Sequence, residues 1–240
     1  MAACLAALIP VLPASAQDTI HLTWNDCALE QAGAPDLSSD CSSDEGENAL
    51  YCAFTLASPL DDVLGIEVIL DLQHSASGLP DWWEILGEGA CRDGALRVSG
   101  DFTANGVCVD TWHDLGAGDV TYELAPGGVA SRTRIKGNYA VRSDMPRTVT
   151  AGEMHYGLKI LIDNRNTVSA SFCSGCEDGA CLVLNSIKLL RGPGSPPQDP
   201  LVVPGSGNGN RVTWRGGAGA DCLAVPAKNR TWGQIKSLYR

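Results

Sequence analysis

The chain has 240 residues, a formal net charge of −11 and 44% hydrophobic residues. Nucleic-acid binding rests on clustered Lys and Arg side chains against phosphate, so this acidity argues against a nucleic-acid partner. After the first sixteen residues, no apolar stretch approaches the roughly 20 residues of a membrane-spanning helix. We therefore expect no membrane span.

Residues 1–16, MAACLAALIPVLPASA, combine an uncharged apolar run with Ala14-Ser15-Ala16, the small-x-small pattern of a signal-peptidase site. We interpret them as a signal peptide, although no Lys or Arg follows Met1. The expected location is therefore secreted, extracellular or on the cell surface, in preference to the periplasm.

Strand patterns dominate the rest of the chain. Alternation with period 2, typical of half-buried strands, runs through 63–72, 132–142 and 153–162, and further strands are predicted at 20–25, 50–56, 95–102 and 181–190. The stretch LPDWWEILG, with Pro80 in its first turn and Gly87 at its end, predicts one short helix. Residues 107–115 fit either a helical turn or a strand.

The stretch GPGSPPQDP has the composition of a linker, and we assign 192–210 as a Pro/Gly-rich linker or loop. A C-terminal strand and short helix are predicted over 211–240, with Thr231 as the N-cap and Trp232, Ile235 and Leu238 at helical spacing. Many strands and few helices predict an all-β fold. We expect a disulfide-stapled β-sandwich over 17–191, Ig-like or jelly-roll-like, with one or two short helices.

Nine of the ten cysteines remain once Cys4 is removed with the signal peptide, and an odd count requires an unpaired thiol, an intermolecular bond or a metal. Cys52 is the predicted unpaired thiol, because it falls on the apolar face of the 50–56 strand. The other eight are predicted to form disulfides. Local pairing favours Cys27 with Cys41 and Cys91 with Cys108, and leaves open how Cys173, Cys176, Cys181 and Cys222 pair.

The stretch CSGCEDGAC, from Cys173 to Cys181, also has ligands for zinc or an iron–sulfur cluster and the spacing of a redox pair. No matching Cys-x-x-Cys follows it, and no His follows Cys176 as haem attachment requires. Secretion favours oxidation, so we expect disulfides and no metal here.

One loop rich in Ser and Gly offers carboxylate oxygens, hard donors of the kind that calcium binds in sets of six to eight oxygen atoms. It is not an EF-hand, because Ser42 occupies a ligand position and Glu45 stands where the turn glycine belongs. A solvated loop and a calcium site remain alternatives, and apart from such a calcium ion no cofactor is predicted. The candidate ligands are Asp36, Asp40, Asp44, Glu45 and Glu47.

No catalytic residue is predicted. Glu67 and Asp71 share a strand face, but at about 3.3 Å per residue they lie roughly 13 Å apart, too far for the carboxylate pair of a glycosidase. The four histidines occur without a Gly-x-Ser-x-Gly or His-Glu-x-x-His motif. His113, beside Asp110 and Asp114, forms a mixed cluster that we interpret as coincidence.

Trp82 and Trp83 are a candidate platform for stacking on sugar rings. Adjacent residues of a helix point about 100° apart, so we expect at least one of them in the core. A basic stripe stands out in this acidic chain and is expected to be solvated or to pair with the acidic loop, of the same molecule or of a neighbour. The stripe comprises Arg132, Arg134, Lys136, Arg142 and Arg147.

The ending NRTWGQIKSLYR resembles a Thr-Trp-Gly-x-x-Lys-x-x-Tyr-Arg ending of uncharacterised secreted bacterial proteins. The resemblance covers at most the C-terminal third, including CSGCEDGACLVLNSIKL, and implies a single β-sandwich with paired cysteines. It implies no activity. The ending is either a sorting or anchoring signal or a helix that caps the sandwich, and the apolar Trp232, Ile235 and Leu238 favour the capping helix.

These observations favour a secreted, non-enzymatic β-sandwich that acts as an extracellular or cell-surface binding or structural module. One alternative is a carbohydrate-active protein, either a carbohydrate-binding module or a glycoside hydrolase. The other is a subunit of an extracellular assembly. A glycan or a second copy of the chain would be the respective partner.

Overall fold

The computed structural model describes residues 17–27, 34–103, 108–196, 199–205 and 209–223. The predicted signal peptide, and the predicted helix after Thr231 that carries the family resemblance, lie outside these residues. In the described part, no helix is long and apolar enough to cross a membrane. A 3-10 turn, Asp81–Trp83, stands where LPDWWEILG predicted a short helix.

The predicted β-sandwich is confirmed, and its two sheets are built from twelve strands in the described residues. The strands are β1 (Thr19–Trp24), β2 (Asp36–Leu37), β3 (Glu47–Thr55), β4 (Leu60–His74), β5 (Leu96–Ser99), β6 (Gly116–Leu124), β7 (Arg132–Val141), β8 (Arg147–Val149), β9 (His155–Asp163), β10 (Ala180–Arg191), β11 (Leu201–Val202) and β12 (Arg211–Trp214).

The smaller sheet has the order β1-β3-β9-β5, and the larger has the order β2-β12-β10-β4-β7-β6. In the larger sheet, β8 also pairs with β4, and β11 pairs with β10. The segment 192–210 therefore contributes a strand, and β12 beyond it joins the same sheet. Within the predicted 107–115 segment, residues 108–115 form turns and bends rather than a strand, apart from one bridge between Asp110 and Tyr156.

The core lies between the sheets, where the alternating side chains of facing strands meet. In β4, Ile66, Val68, Leu70 and Leu72 are fully buried. Gly157 of β9 lets the sheets approach closely, because a Cβ atom there would lie 2.3 Å from Cδ1 of Ile66. A small second cluster lies apart from the main core and includes Tyr51, Phe102 and Tyr156.

The eight predicted cysteines form four disulfides and Cys52 is a buried unpaired thiol, as expected. The local pairing predicted for Cys27 with Cys41 and for Cys91 with Cys108 is wrong. Every bond joins segments at least 41 residues apart, because the sandwich brings distant parts of the chain together. The bonds are Cys27–Cys108, Cys41–Cys176, Cys91–Cys173 and Cys181–Cys222.

Candidate binding surface

Five loops emerge from the same end of the sandwich, and we call this end the loop cap. The strand register places them together, because β3 begins where β9 ends and β4 ends where β10 begins. Three of the loops cross from one sheet to the other and so close this end. The loop cap comprises residues 38–46, 75–95, 125–131, 164–179 and 215–223.

Three of the four disulfides hold the loop cap. Cys176 and Cys173 tie the 164–179 loop to Cys41 of the 38–46 loop and to Cys91 of the 75–95 loop. The third bond joins Cys222 to Cys181 at the start of β10. These bonds restrict loops that lack a continuous sheet ladder, so the surface they form is preorganised.

A buried guanidinium group lies beneath the loop cap. Arg92 is fully buried, and its guanidinium carbon lies 3.8 Å from the centroid of the Trp82 ring. It donates hydrogen bonds to the backbone carbonyls of Trp82 (2.7 Å), Arg165 (2.9 Å) and Asp163. Burial lowers the pKa of Arg92 to about 10, so the group stays charged at neutral pH. Arg92 thus joins the 75–95 loop to the 164–179 loop.

The loop cap carries much of the negative charge of the chain. Its loops contain ten carboxylates and three Arg side chains, a formal net charge of −7. Two of these Arg side chains are engaged locally, since Arg165 pairs with Asp163 at 2.6 Å and Arg215 pairs with Glu177. The acids are Asp40, Asp44, Glu45, Asp81, Glu84, Glu88, Asp93, Glu177, Asp178 and Asp221.

Exposed apolar side chains concentrate at the same end. Of the eight large hydrophobic side chains exposed in the described residues, five lie on the loop cap or at its edge. The most prominent pair lies on one turn, where Phe172 is 64% exposed and Val168 is 52% exposed. The five are Leu124, Val129, Val168, Phe172 and Leu223.

Hydrogen bonds fix the turn that presents this pair. The backbone N–H of Val168 donates to Oδ1 of Asp44 at 2.8 Å, and that of Phe172 donates to the carbonyl of Ser169 at 3.0 Å. The next residue, Cys173, is held by its disulfide and by a 2.8 Å bond to the carbonyl of Asn166. The exposed apolar pair therefore sits on a fixed turn.

A cavity of about 220 Å³ lies between the 84–90 segment and β6. Its walls include the apolar Leu86 and Leu124 and the ring of Tyr122, with Glu84 and Glu88 also lining it. Burial, and to a smaller extent the Glu84 carboxylate, raises the pKa of the Tyr122 phenol, which donates to the carbonyl of Trp83. Neither glutamate forms an ion pair with a basic side chain of the described residues.

The candidate calcium ligands do not come together. Asp36 accepts hydrogen bonds from Thr213 and from the backbone of Gly216, and these bonds outweigh partial burial and lower its pKa. Asp40 binds Ser42, Asp44 binds the Val168 amide, and Glu47 pairs with Arg97. Within the described ranges, no group of three or more His, Cys, Asp or Glu side chains is arranged to hold a metal ion.

The sugar platform predicted at Trp82 and Trp83 is wrong. Both side chains are fully buried, and their rings meet edge to face at an interplanar angle of 87°. They pack with Trp214, whose ring centroid lies 4.8 Å from that of Trp82. The 3-10 turn at Asp81–Trp83 points both indoles into the core, where they support the loop cap from below.

The alternating pattern of its strand places Asp71 on the face towards solvent. In the structure Asp71 is instead fully buried. Its two carboxylate oxygens accept bonds of 2.8 and 2.9 Å from Arg134 of the neighbouring strand β7. In the same stripe, Arg132 approaches Gln73 and Asp221, and Arg142 pairs with Asp144. These three arginines therefore do not contact the predicted acidic loop.

The histidines form no catalytic arrangement within the described residues. Asp110 accepts hydrogen bonds from the backbone N–H groups of Trp112 and His113, so the mixed cluster at 110–114 is a turn stabilised by a carboxylate. His155 is buried, and its Nε2 lies 3.0 Å from Oγ1 of Thr150. Burial lowers the pKa values of His21, His74 and His155.

Sequence reasoning missed Phe172, Val168 and the buried Arg92. A signal for the first two exists in VSASFC, where two large apolar residues flank three small ones immediately before a cysteine. A charged residue such as Arg92 gives no comparable signal, because a surface position is its usual place. No protein-family model and no curated protein matches the chain.

Proposed function

We propose that this protein is an extracellular binding module whose loop cap recognises a polypeptide with basic and apolar side chains. The observation that carries the proposal is that excess negative charge and exposed apolar side chains occur together on the end of the sandwich held by three disulfides. Loops on a rigid scaffold are the usual site of binding in β-sandwiches.

The chemistry of the surface supports a partner of this kind. Carboxylates attract basic side chains and speed association, whereas a buried aromatic or aliphatic anchor supplies most of the affinity. Phe172 and Val168 would supply such anchors. The 220 Å³ cavity has room for one long side chain, and Glu84 and Glu88 would favour a Lys or Arg there.

An oxidising compartment is the second part of the proposal. Four disulfides are typical of secreted and surface proteins and rare in proteins of reducing compartments. The predicted signal peptide at 1–16 supports the same location.

The other sequence hypotheses have less support. A sugar-stacking site at Trp82 and Trp83 would need exposed rings, and both rings are buried. A glycosidase centre at Asp71 would need an available carboxylate, and Asp71 is paired with Arg134. An assembly based on the basic stripe would need arginines that are not already engaged in their own sheet and its adjoining turns.

Selection of a random peptide library on the immobilised full chain tests the proposal. We expect enriched peptides to be rich in Lys, Arg and large apolar residues, and their Kd to rise roughly tenfold or more in Phe172→Ala, as for an interface anchor. Met145→Ala is the control, because Met145 is a large apolar side chain exposed on the turn between β7 and β8, at the other end of the sandwich. Enrichment without charge bias, or equal loss in both variants, would contradict the proposal.

A further inference from the structure

The chain leaves the described sandwich from the loop cap itself. Cys222 is bonded to Cys181, and the carbonyl of Leu223 accepts a 3.0 Å hydrogen bond from Nε2 of Gln73. Asp221 lies 3.6 Å from Nη2 of Arg132. The residues that follow Leu223 therefore start beside the acidic surface.

The sequence of those residues is complementary to that surface. The segment 224–240, AVPAKNRTWGQIKSLYR, contains four basic residues and no acidic one. Trp232, Ile235 and Leu238 recur at helical spacing and would form one apolar face. The segment thus has the composition that the loop cap would select in an external partner.

The tether makes an encounter within one molecule favourable. By random-coil statistics, 17 residues have a root-mean-square span of roughly 20–25 Å, which exceeds the spacing of about 10 Å between the two sheets of a sandwich. A short tether of this kind gives an effective concentration on the order of millimolar. An untethered partner present at micromolar concentration must compete with it.

We propose that segment 224–240 occupies the loop cap of its own molecule. Basic residues of the segment would face the carboxylates of the cap, and its apolar face would cover Phe172 and Val168. The inference rests on the same surface as the proposed function and names an occupant for it: segment 224–240 and an external polypeptide would compete for the loop cap.

Site-specific photo-cross-linking of the full chain tests this directly. The photoreactive residue p-benzoylphenylalanine replaces Phe172, and in a control it replaces the exposed Met145, on the turn between β7 and β8 at the opposite end. We expect Phe172→p-benzoylphenylalanine to yield an intramolecular cross-link to a peptide within 224–240. We expect the control to yield none. Raising the salt to about 1 M should reduce the yield, since exposed charge pairs are then screened.

Two results would overturn the inference. A cross-link that joins two chains would make the segment a contact between copies. The absence of any cross-link to 224–240, in a sample whose intact mass retains the segment, would leave a separate receptor as its partner.

The same test separates this inference from the proposed function, because it needs no external ligand. If the selected peptides bind, charge reversal by Lys228→Glu, Arg230→Glu and Lys236→Glu should tighten their binding roughly tenfold or more, as expected when a tethered competitor is removed. The control Arg142→Glu, on the opposite end, should leave their Kd unchanged. Equal affinities in all three proteins would contradict coverage by the segment, whether or not peptides bind.

Discussion

Arg92 lies over the face of Trp82, 3.8 Å from the ring centroid, and its guanidinium group reaches backbone carbonyls of two loops. The hydrogen bonds of Arg92 connect the 75–95 loop to the end of β9 and to the turn that follows it. A pair of adjacent strands would make this connection through backbone hydrogen bonds. The loop cap is therefore built on a buried charge and three disulfides rather than on continuous strands.

Replacing this link should destabilise the protein markedly. Arg92→Met leaves carbonyl acceptors without a donor, each at a cost on the order of 1–3 kcal/mol, so we expect the unfolding free energy to fall by about 3 kcal/mol or more. Urea unfolding measures the change. Arg142→Met is the exposed control and should change stability by less than about 0.5 kcal/mol. Similar losses for the two variants would show that Arg92 does not link the loops.

The ion pair between Asp71 and Arg134 should show strong coupling. Arg134→Met leaves a fully buried carboxylate without its partner and should cost about 3 kcal/mol. The double variant Asp71→Leu, Arg134→Met removes both charges and should lose less stability than Arg134→Met alone. A double-mutant cycle from urea unfolding measures the coupling. Additive losses would mean that the pair contributes nothing as a pair.

Acidification should weaken the fold before the carboxylates titrate. Burial lowers the pKa values of His21, His74 and His155 from 6.5, so the unfolded chain binds more protons than the folded chain below neutral pH. Stability should therefore decrease as the pH falls from about 7.5 towards 5. NMR titration of the imidazole shifts measures each pKa in the folded chain, with the urea-unfolded chain as reference. A midpoint for His155 at or above its unfolded value would contradict the prediction.

Thiol alkylation should report one cysteine and only after unfolding. Cys52 is fully buried, and burial raises the pKa of its thiol, so the folded protein should not react. Without reductant, mass spectrometry of the unfolded protein should show one alkyl group. A second group would indicate that Cys4 is still present and that residues 1–16 were not removed.

Period 2 was sufficient to predict β4, β7 and β9, whereas β6, a mostly exposed strand at the edge of the larger sheet, was not predicted. In β4, four alternating apolar residues form the buried face that the pattern predicted, and Cys52 of β3 lies buried as its position required. The pattern failed at Asp71 because it assigns the opposite face to solvent, while the sheet supplies an arginine partner from β7.

The loop cap was beyond sequence reasoning for a different reason. Its disulfides join segments 135, 82 and 41 residues apart, and the choice of partner depends on which loops meet after the sheets have formed. Trp82 and Trp83 were similarly ambiguous, since an indole packs equally well in a hydrophobic core or against a bound ligand. Only the direction of their 3-10 turn places them inside.

Hydrogen exchange of the full chain, with and without a peptide enriched by selection, tests the central claim most directly. The account predicts slower exchange in 166–173 and 84–90 of the loop cap and no change at β8 and its preceding turn, at the opposite end. Protection confined to other surfaces, with the loop cap unchanged, would contradict the assignment of the loop cap as the binding surface.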